Sequence, residues 1–223
     1  MPYDLDLRPL WLTLKVAGLA TLASFFTGVV LAYLIARRQF WGRDWLDAVS
    51  TLPLVLPPTV LGYYLIVLMG HNGFIGRWLH DNLGISLIFT WQGAVLAAAV
   101  VSFPLIFKSA RAAFEEVDGS LENTARTLGL SELQVFLRVS LPLAWRGILA
   151  GAMLAFARAM GEFGATLMVA GNLPGKTQTL SLAVYEAVQA GNDHLATILV
   201  LLTSGLAILI LGASSKILQA DAK

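Results

Sequence analysis

Four stretches of the chain run for the length of a bilayer crossing without an Asp, Glu, Lys or Arg: residues 16–36, 48–70, 82–107 and 195–215. A helix of roughly 20 predominantly apolar residues spans the hydrocarbon core of a membrane. A helix on the surface of a soluble domain instead needs a polar face toward water. A fifth stretch, about 142–170, has Arg146 at its start, and Arg158 and Glu162 interrupt its second half. The pattern predicts an all-α polytopic bundle of about five transmembrane helices. They fall near 11–36, 48–70, 85–108, 142–170 and 195–216, in one domain of residues 1–223.

The first stretch does not read as a cleaved leader. Asp4 and Asp6 stand against a single Arg before it, its apolar part is too long for a leader, and Arg37 and Arg38 follow it. Lys and Arg concentrate on cytoplasmic segments of membrane proteins. With the N-terminus outside and the C-terminus inside, the inner segments hold Arg37, Arg38, Arg43, Lys108, Arg111, Arg126, Arg138, Arg146, Lys216 and Lys223. The outer ones hold only Arg8, Arg77 and Lys176. Residues 37–47 then form a short inner loop and 108–141 a long one. Residues 71–81 form a short outer loop, with a half-helix through Phe74, Ile75, Trp78 and Leu79, and 171–194 a longer one.

Composition sharpens this picture. Of the 223 residues 57% are hydrophobic and 13% charged, against about 25% charged in an average soluble domain. The chain lacks the charge to cover a core in water. A net charge of +1 gives no field for a nucleic acid or an acidic partner. The absence of cysteine excludes disulfides, thiol catalysis and Cys-ligated metal. No H-E-x-x-H or G-x-S-x-G motif is present. No catalytic residue and no metal site is expected, and His71, His80 and His194 fall in predicted outer loops or at a span edge, where solvated histidines are ordinary.

The long inner segment carries a second kind of pattern. Ser120 is placed to cap a helix from Leu121 to Leu128, and Gly129 suits the left-handed residue that ends a helix. Ser131 and Gln134 make an S-x-x-Q capping box for a second helix, and Pro142 marks the start of the next span. By itself this helix, glycine corner and helix fits an amphipathic connector lying on the bilayer as well as a docking element.

The residues here resemble the signature loop of type I ABC importer permeases, whose pattern is E-A-A-x-x-x-G, nine residues, then I-x-L-P. Ala125, Gly129 and Val139-Ser140-Leu141-Pro142 match it in spacing. The acid stands one position early, at Glu122, and Val139 replaces Ile. Two more runs, LPLVLPPTVLG at 52–62 and RAMGEFGATL at 158–167 followed by GNLPG at 171–175, resemble the molybdate permeases of that family. The resemblance covers nearly the whole chain. It implies a type I permease fold and a cytoplasmic coupling loop at about 114–141, with Glu122, Ala125, Gly129, Leu141 and Pro142 docking a separate ATP-binding cassette ATPase. It further implies a homodimer, and a periplasmic or lipid-anchored oxyanion-binding protein outside. It places the chain in a bacterial or archaeal cytoplasmic membrane, among lipid, with molybdate or tungstate as the cargo and sulfate as the alternative. ATP and Mg would be bound by the partner, leaving no cofactor in this chain.

Polar and helix-breaking residues inside the spans need a reason. Pro53, Pro57 and Pro58 remove backbone donors early in the second span, either to kink it for packing or to shape a pathway. Arg158 and Glu162, four residues apart, share a helix face. A pair facing the bundle interior is tolerated where a lone charge is not. It serves either as a structural ion pair or in positioning a gate. Pro57, Pro58, Arg158, Glu162, Gly164 and Thr166 are therefore the pathway or gate candidates. Lys15 is expected to snorkel to the outer interface, and the six tryptophans to line the interfaces. Gly147 and Gly151 form a G-x-x-x-G pair that suits a dimer seam. Residues 170–177 fit a relaxed phosphate-loop pattern but lack the strand and parallel sheet such a loop needs, so an outer turn is expected, followed by an amphipathic segment at 178–190 where a binding protein docks. An intramembrane enzyme lacks a catalytic constellation, and a stand-alone channel has no use for a coupling loop.

Overall fold

A computed structural model of the chain describes residues 6–220, with side-chain surroundings through residue 212. The regular secondary structure of the described residues is all helical, without strands. Four helices have the length and apolarity of a span: α1 (Arg8–Arg37), α5 (Trp91–Glu116), the continuous helix Glu132–Met160, and α11 (Asp193–Ala220). A fifth crossing is built from two pieces, α2 (Arg43–Val55) and α3 (Pro58–Met69), which meet at 118°. The single helix expected over 48–70 is thus broken. The residue before a proline is pushed to extended backbone. Leu56 (ψ 138°) and Pro57 (ψ 139°) are both extended, and α3 restarts with Pro58 in its first turn.

The span expected at 142–170 is also two pieces and begins earlier. It runs from α7 (Glu132–Val135) through a π-helical turn (Phe136–Ser140) into α8 (Leu141–Met160), then breaks before the short α9 (Gly164–Ala170). In an α-turn the ring of Pro142 would clash with the carbonyl of Arg138 and leave it without a donor. The wider π-turn lies immediately before it, and Leu141 N–H donates back to the carbonyl of Phe136.

The bundle is organised on α1, α5 and α8. Val29, Ala32 and Ile35 of α1 meet Ile106, Phe107, Ala110 and Phe114 of α5 and Ala144, Ile148 and Ala155 of α8, all buried. Helices in lipid associate through close packing rather than hydrophobic exclusion, so small residues mark their contacts. A Cβ on Gly147 would stand 2.6 Å from Ala113 Cβ, and one on Gly151 2.5 Å from Ser109 Cβ. The G-x-x-x-G pair is therefore spent inside the chain, against α5, and not on a seam between copies. Ser24 Oγ adds a 3.0 Å hydrogen bond from α1 to the carbonyl of Ala99 on α5.

The loops carry shorter helices. The half-helix expected within 71–81 is α4 (Phe74–Leu83), and α10 (Leu180–Gln189) occupies the segment expected at 178–190. Residues 171–179 form turns with Gly171 and Gly175 at positive φ (67° and 74°) and no strand beside them, as a nucleotide loop would require. Lys15 does not simply snorkel. Its ammonium lies 3.5 Å from the centre of the Trp91 ring. The inner end of α5 is tied to α2: Asp47 pairs with Lys108 at 3.0 Å and with Arg111, and Glu115 with Arg111 at 2.8 Å and Arg43 at 3.4 Å.

Candidate functional site

Two regions bring the sequence-predicted residues together. The first is a cleft of about 280 Å³ where the end of α8 and the starts of α9 and α3 converge. It is lined by Pro58, Thr59, Arg158, Gly161, Glu162, Phe163 and Gly164. α8 stops at Met160 and α9 begins at Gly164, with Phe163 offering no side-chain cap. Glu162 supplies that cap instead: its Oε1 accepts the N–H of Ala165 at 2.8 Å. Its Oε2 lies 2.9 Å from the Arg158 guanidinium. A carboxylate at a helix N-terminus is favoured by the helix dipole, so the break in the span and its anchoring acid form one structure.

Gly164 lets α9 meet α3 closely, since a Cβ there would come within 3.1 Å of Pro58 Cβ and 3.4 Å of the Thr59 nitrogen. α3 opens at this cleft, but Pro58 has no N–H, and Val60 and Leu61 donate to the Pro57 carbonyl at 2.9 and 3.2 Å, which leaves the Thr59 N–H as its first amide there. Glu162 is buried at 2% exposure; its Oε1 caps Ala165 and its Oε2 faces Arg158 as an ion pair without a hydrogen bond, while the Arg158 side chain is 36% exposed. The cleft therefore offers an anion the edge of a guanidinium and one helix-start amide, beside a carboxylate paired with that same guanidinium. Of the candidates, Pro58, Arg158, Glu162 and Gly164 line it. Pro57 is the residue capping α3 at its rim, and Thr166 is buried inside α9, away from the lining. Thr59 and Phe163 are additional lining residues. Their only sequence signal is adjacency to the proline pair and to Glu162.

The second region is the long loop between α5 and α8. α6 (Gly119–Thr127) starts two residues earlier than expected because Asp118, not Ser120, caps it. The Asp118 carboxylate accepts Ser120 N–H at 2.8 Å and Ser120 Oγ–H. These bonds hold the Asp118 carboxyl below its ordinary pKa. Gly129 turns the corner at φ 86°. Ser131 and Gln134 form the reciprocal capping box on α7. Arg126 reaches across the corner to Glu132 at 2.8 Å.

Glu122 points inward. Its carboxylate, 3% exposed, accepts Ser140 Oγ–H at 2.7 Å and pairs with Arg37 Nε at 2.9 Å. Arg37 also donates to the carbonyl of Val117 at 2.8 Å. One acid thus joins α6, the end of α1 and the π-turn. Ala125, one helical turn on, is buried on the same face. Neither side chain is on the outer surface of the loop. That surface presents Leu121 and Leu128, 49% and 77% exposed, with Gly129 at the corner. Leu141 and Pro142 lie within the long helix rather than on the projecting corner. Arg37 and Ser140 were missed as partners: in the sequence the first reads only as a positive-inside arginine and the second as part of the I-x-L-P run. Among the described residues no group of three His, Asp or Glu is placed to hold a metal.

Residues 26–220 match the family described as binding-protein-dependent transport system inner membrane component. The chain belongs to that family. It is 47% identical over 207 residues to the molybdenum transport system permease protein ModB of Escherichia coli strain K12, covering 92% of this chain and 90% of that protein. It is 44% identical to the putative molybdenum transport system permease protein YvgM of Bacillus subtilis, over 84% and 83% of the two chains. To the sulfate transport system permease protein CysW of Synechococcus elongatus it is 38% identical, over 90% and 70%. Among solved structures it is similar to a bacterial alginate ABC transporter in complex with a periplasmic protein, at TM-score 0.79 and 16% identity, with 100% and 81% of the chains covered. It is also similar to the inward-facing MetNI methionine ABC transporter, at TM-score 0.73 and 21% identity, with 96% and 94% covered. Those identities carry the fold, which is that of an ABC importer permease. Its relatives are multi-pass inner-membrane transport subunits rather than enzymes.

Proposed function

We propose that this chain is the channel-forming subunit of an ATP-driven importer for molybdate, with tungstate as an equivalent cargo. The observation that carries the reading is the greater likeness to molybdenum permeases than to a sulfate permease over nearly the whole chain. Two copies enclose the pathway, with the cleft at Arg158 and Gly164 facing it. The N-terminus lies outside and the C-terminus inside, in keeping with the Lys and Arg distribution. The corner between α6 and α7 docks a separate ATPase through Leu121, Leu128 and Gly129. That ATPase binds ATP and Mg, and this chain needs no cofactor. A periplasmic or lipid-anchored protein delivers the oxyanion, and closure of the ATPase pair drives alternating access. Because Glu122 ties the docking helix to α1 and α8, motion of the ATPase reaches the spans instead of being absorbed in the loop.

Sulfate transport is the second reading, favoured by the likeness to the sulfate permease. The test is uptake into proteoliposomes holding this chain, its ATPase and its binding protein. ATP-dependent accumulation of molybdate, blocked by tungstate and insensitive to sulfate, is expected. Accumulation of sulfate with indifference to molybdate overturns the cargo, and uptake that needs no ATPase overturns the importer.

A further inference from the structure

At the outer end of α1 lies a recess of about 220 Å³ that the cleft described above does not include. It is lined by Arg8, Trp11, Leu12, Lys15, Trp91, Gly175, Lys176 and Gln178. Three cations converge there, and among the described residues only one carboxylate, Asp6, answers them, paired with Arg8 at 2.9 Å. Lys15 and Lys176 have no acidic partner among the described residues. Lys15 sits on the Trp91 face, which satisfies its charge partly but accepts none of its N–H bonds.

The walls of the recess are fixed. Leu180 N–H donates to Thr13 Oγ at 2.8 Å, binding the start of α10 to α1. Thr177 Oγ takes the N–H of Leu173 at 3.1 Å and donates to the carbonyl of Gly171 at 3.2 Å, closing the turn that carries Lys176. A Cβ on Gly175 would lie 3.4 Å from the Arg8 guanidinium, an ordinary contact distance, so the loop comes up against the start of α1, and its φ of 74° favours glycine at that turn. The volume is several times the roughly 30 Å³ that one water occupies in the liquid, enough for a tetrahedral anion.

We infer that this recess is a binding site for a tetrahedral oxyanion group, with Lys15, Lys176 and Arg8 as its donors. Two sources share that chemistry: a free dianion arriving from outside, and the phosphate of an anionic lipid headgroup beside the exposed Trp11. The free-dianion arm rests on the proposed function and would make the recess a first stop before the cleft. The lipid arm does not depend on it.

The test uses the intact importer complex, wild type and with Lys15→Gln plus Lys176→Gln. Molybdate alone is titrated by equilibrium dialysis, and phosphatidylglycerol against phosphatidylcholine by native mass spectrometry. Charge-assisted contacts of this kind predict that the double variant binds one probe roughly tenfold more weakly or worse, while Lys15→Arg plus Lys176→Arg retains it. The probe that responds names the source. Lys176→Gln alone, at an exposed loop position with no packing to lose, must shift binding in the same direction. Equal binding of both probes by wild type and the glutamine variants, or no binding of either by wild type, overturns the site. Molybdate uptake by the wild-type complex reads the proposed function separately.

Discussion

Replacing Glu122 by Ala removes one buried carboxylate and leaves two donors behind. Arg37 Nε loses its 2.9 Å partner and Ser140 Oγ–H its 2.7 Å acceptor. Deleting one member of a buried ion pair typically costs 3–5 kcal/mol, chiefly because the other charge stays buried unpaired. The Arg37 side chain is 17% exposed and keeps its bond to the Val117 carbonyl, which places the expected loss near the lower end, about 3 kcal/mol. Glu122→Gln keeps an acceptor but not the charge and is expected to cost about 1–2 kcal/mol. The loss falls on the attachment of α6 to the bundle, because the capping box and the Arg126 to Glu132 bridge still hold the corner itself together. Two readouts follow. Amide exchange in α6 should accelerate in Glu122→Ala while that of α5 stays slow. In the reconstituted importer, ATP hydrolysis should persist while molybdate moved per ATP falls severalfold, less for Gln than for Ala. A double-mutant cycle with Arg37→Met should return a double variant less damaged than the sum of the singles. Wild-type exchange in α6 together with a wild-type transport ratio in Glu122→Ala would refute the strut.

The remaining predictions concern the cleft, the α3 contact and the inner charge cluster. Arg158→Ala and Glu162→Ala should both depress uptake, with Glu162→Gln milder because its amide oxygen still caps Ala165; normal uptake rates in all three would dismiss a role for the pair. Gly62→Ala puts a Cβ 2.7 Å from Met168 Cβ and 3.1 Å from Ala165 Cα, so overpacking should cost about 1–3 kcal/mol, seen as a lower Tm in detergent, and an unchanged Tm would contradict the close α3 and α9 contact. Near the C-terminal end of α5, Asp47→Ala removes the carboxylate that Lys108 and Arg111 share and should lower the Tm in detergent, and an unchanged Tm would count against the pairing.

What the sequence made legible follows from which interactions are local. Span positions are local sums of hydropathy, and α1 and α11 contain the charge-free stretches that predict them, whereas α5 runs Trp91–Glu116 instead of over 82–107, because Thr90 caps its start and the helix continues past Lys108 and Arg111. The Ser131 capping box and the left-handed Gly129 depend on neighbours within four residues, and both are present. The 118° bend at Pro57 and Pro58 was visible as a disruption but not as an angle, because its direction is set by Ala165 and Met168, about a hundred residues away. Asp118 displaced Ser120 as the cap of α6 because both are good capping residues and the tertiary path of the chain chose between them. The partner of Glu122 was illegible for the same reason: Arg37 is 85 positions away and looks like any arginine following a span.

The places where the helices fail share a construction. At residues 161–163 the chain stops being helical, and a buried acid, Glu162, caps the next segment while holding an arginine from the preceding one. At the inner loop the chain leaves α5, and a buried acid, Glu122, holds an arginine from α1 and the serine of the π-turn. In each case broken backbone near the membrane is tolerated because protein groups replace the missing helix bonds, and an arginine 2.9 Å away offsets the carboxylate's charge. Glu162, which interrupts a span, and Glu122, in the long loop, are thus what hold the chain at the two discontinuities. Substituting either acid should therefore disturb its own discontinuity and leave the other intact, so that Glu162 variants alter uptake without freeing α6 in amide exchange, and Glu122 variants free α6 while amide exchange at the break between α8 and α9 stays at its wild-type rate. Simultaneous loosening of both segments by a single substitution would mean that the breaks are held by the bundle as a whole and not by their own acids.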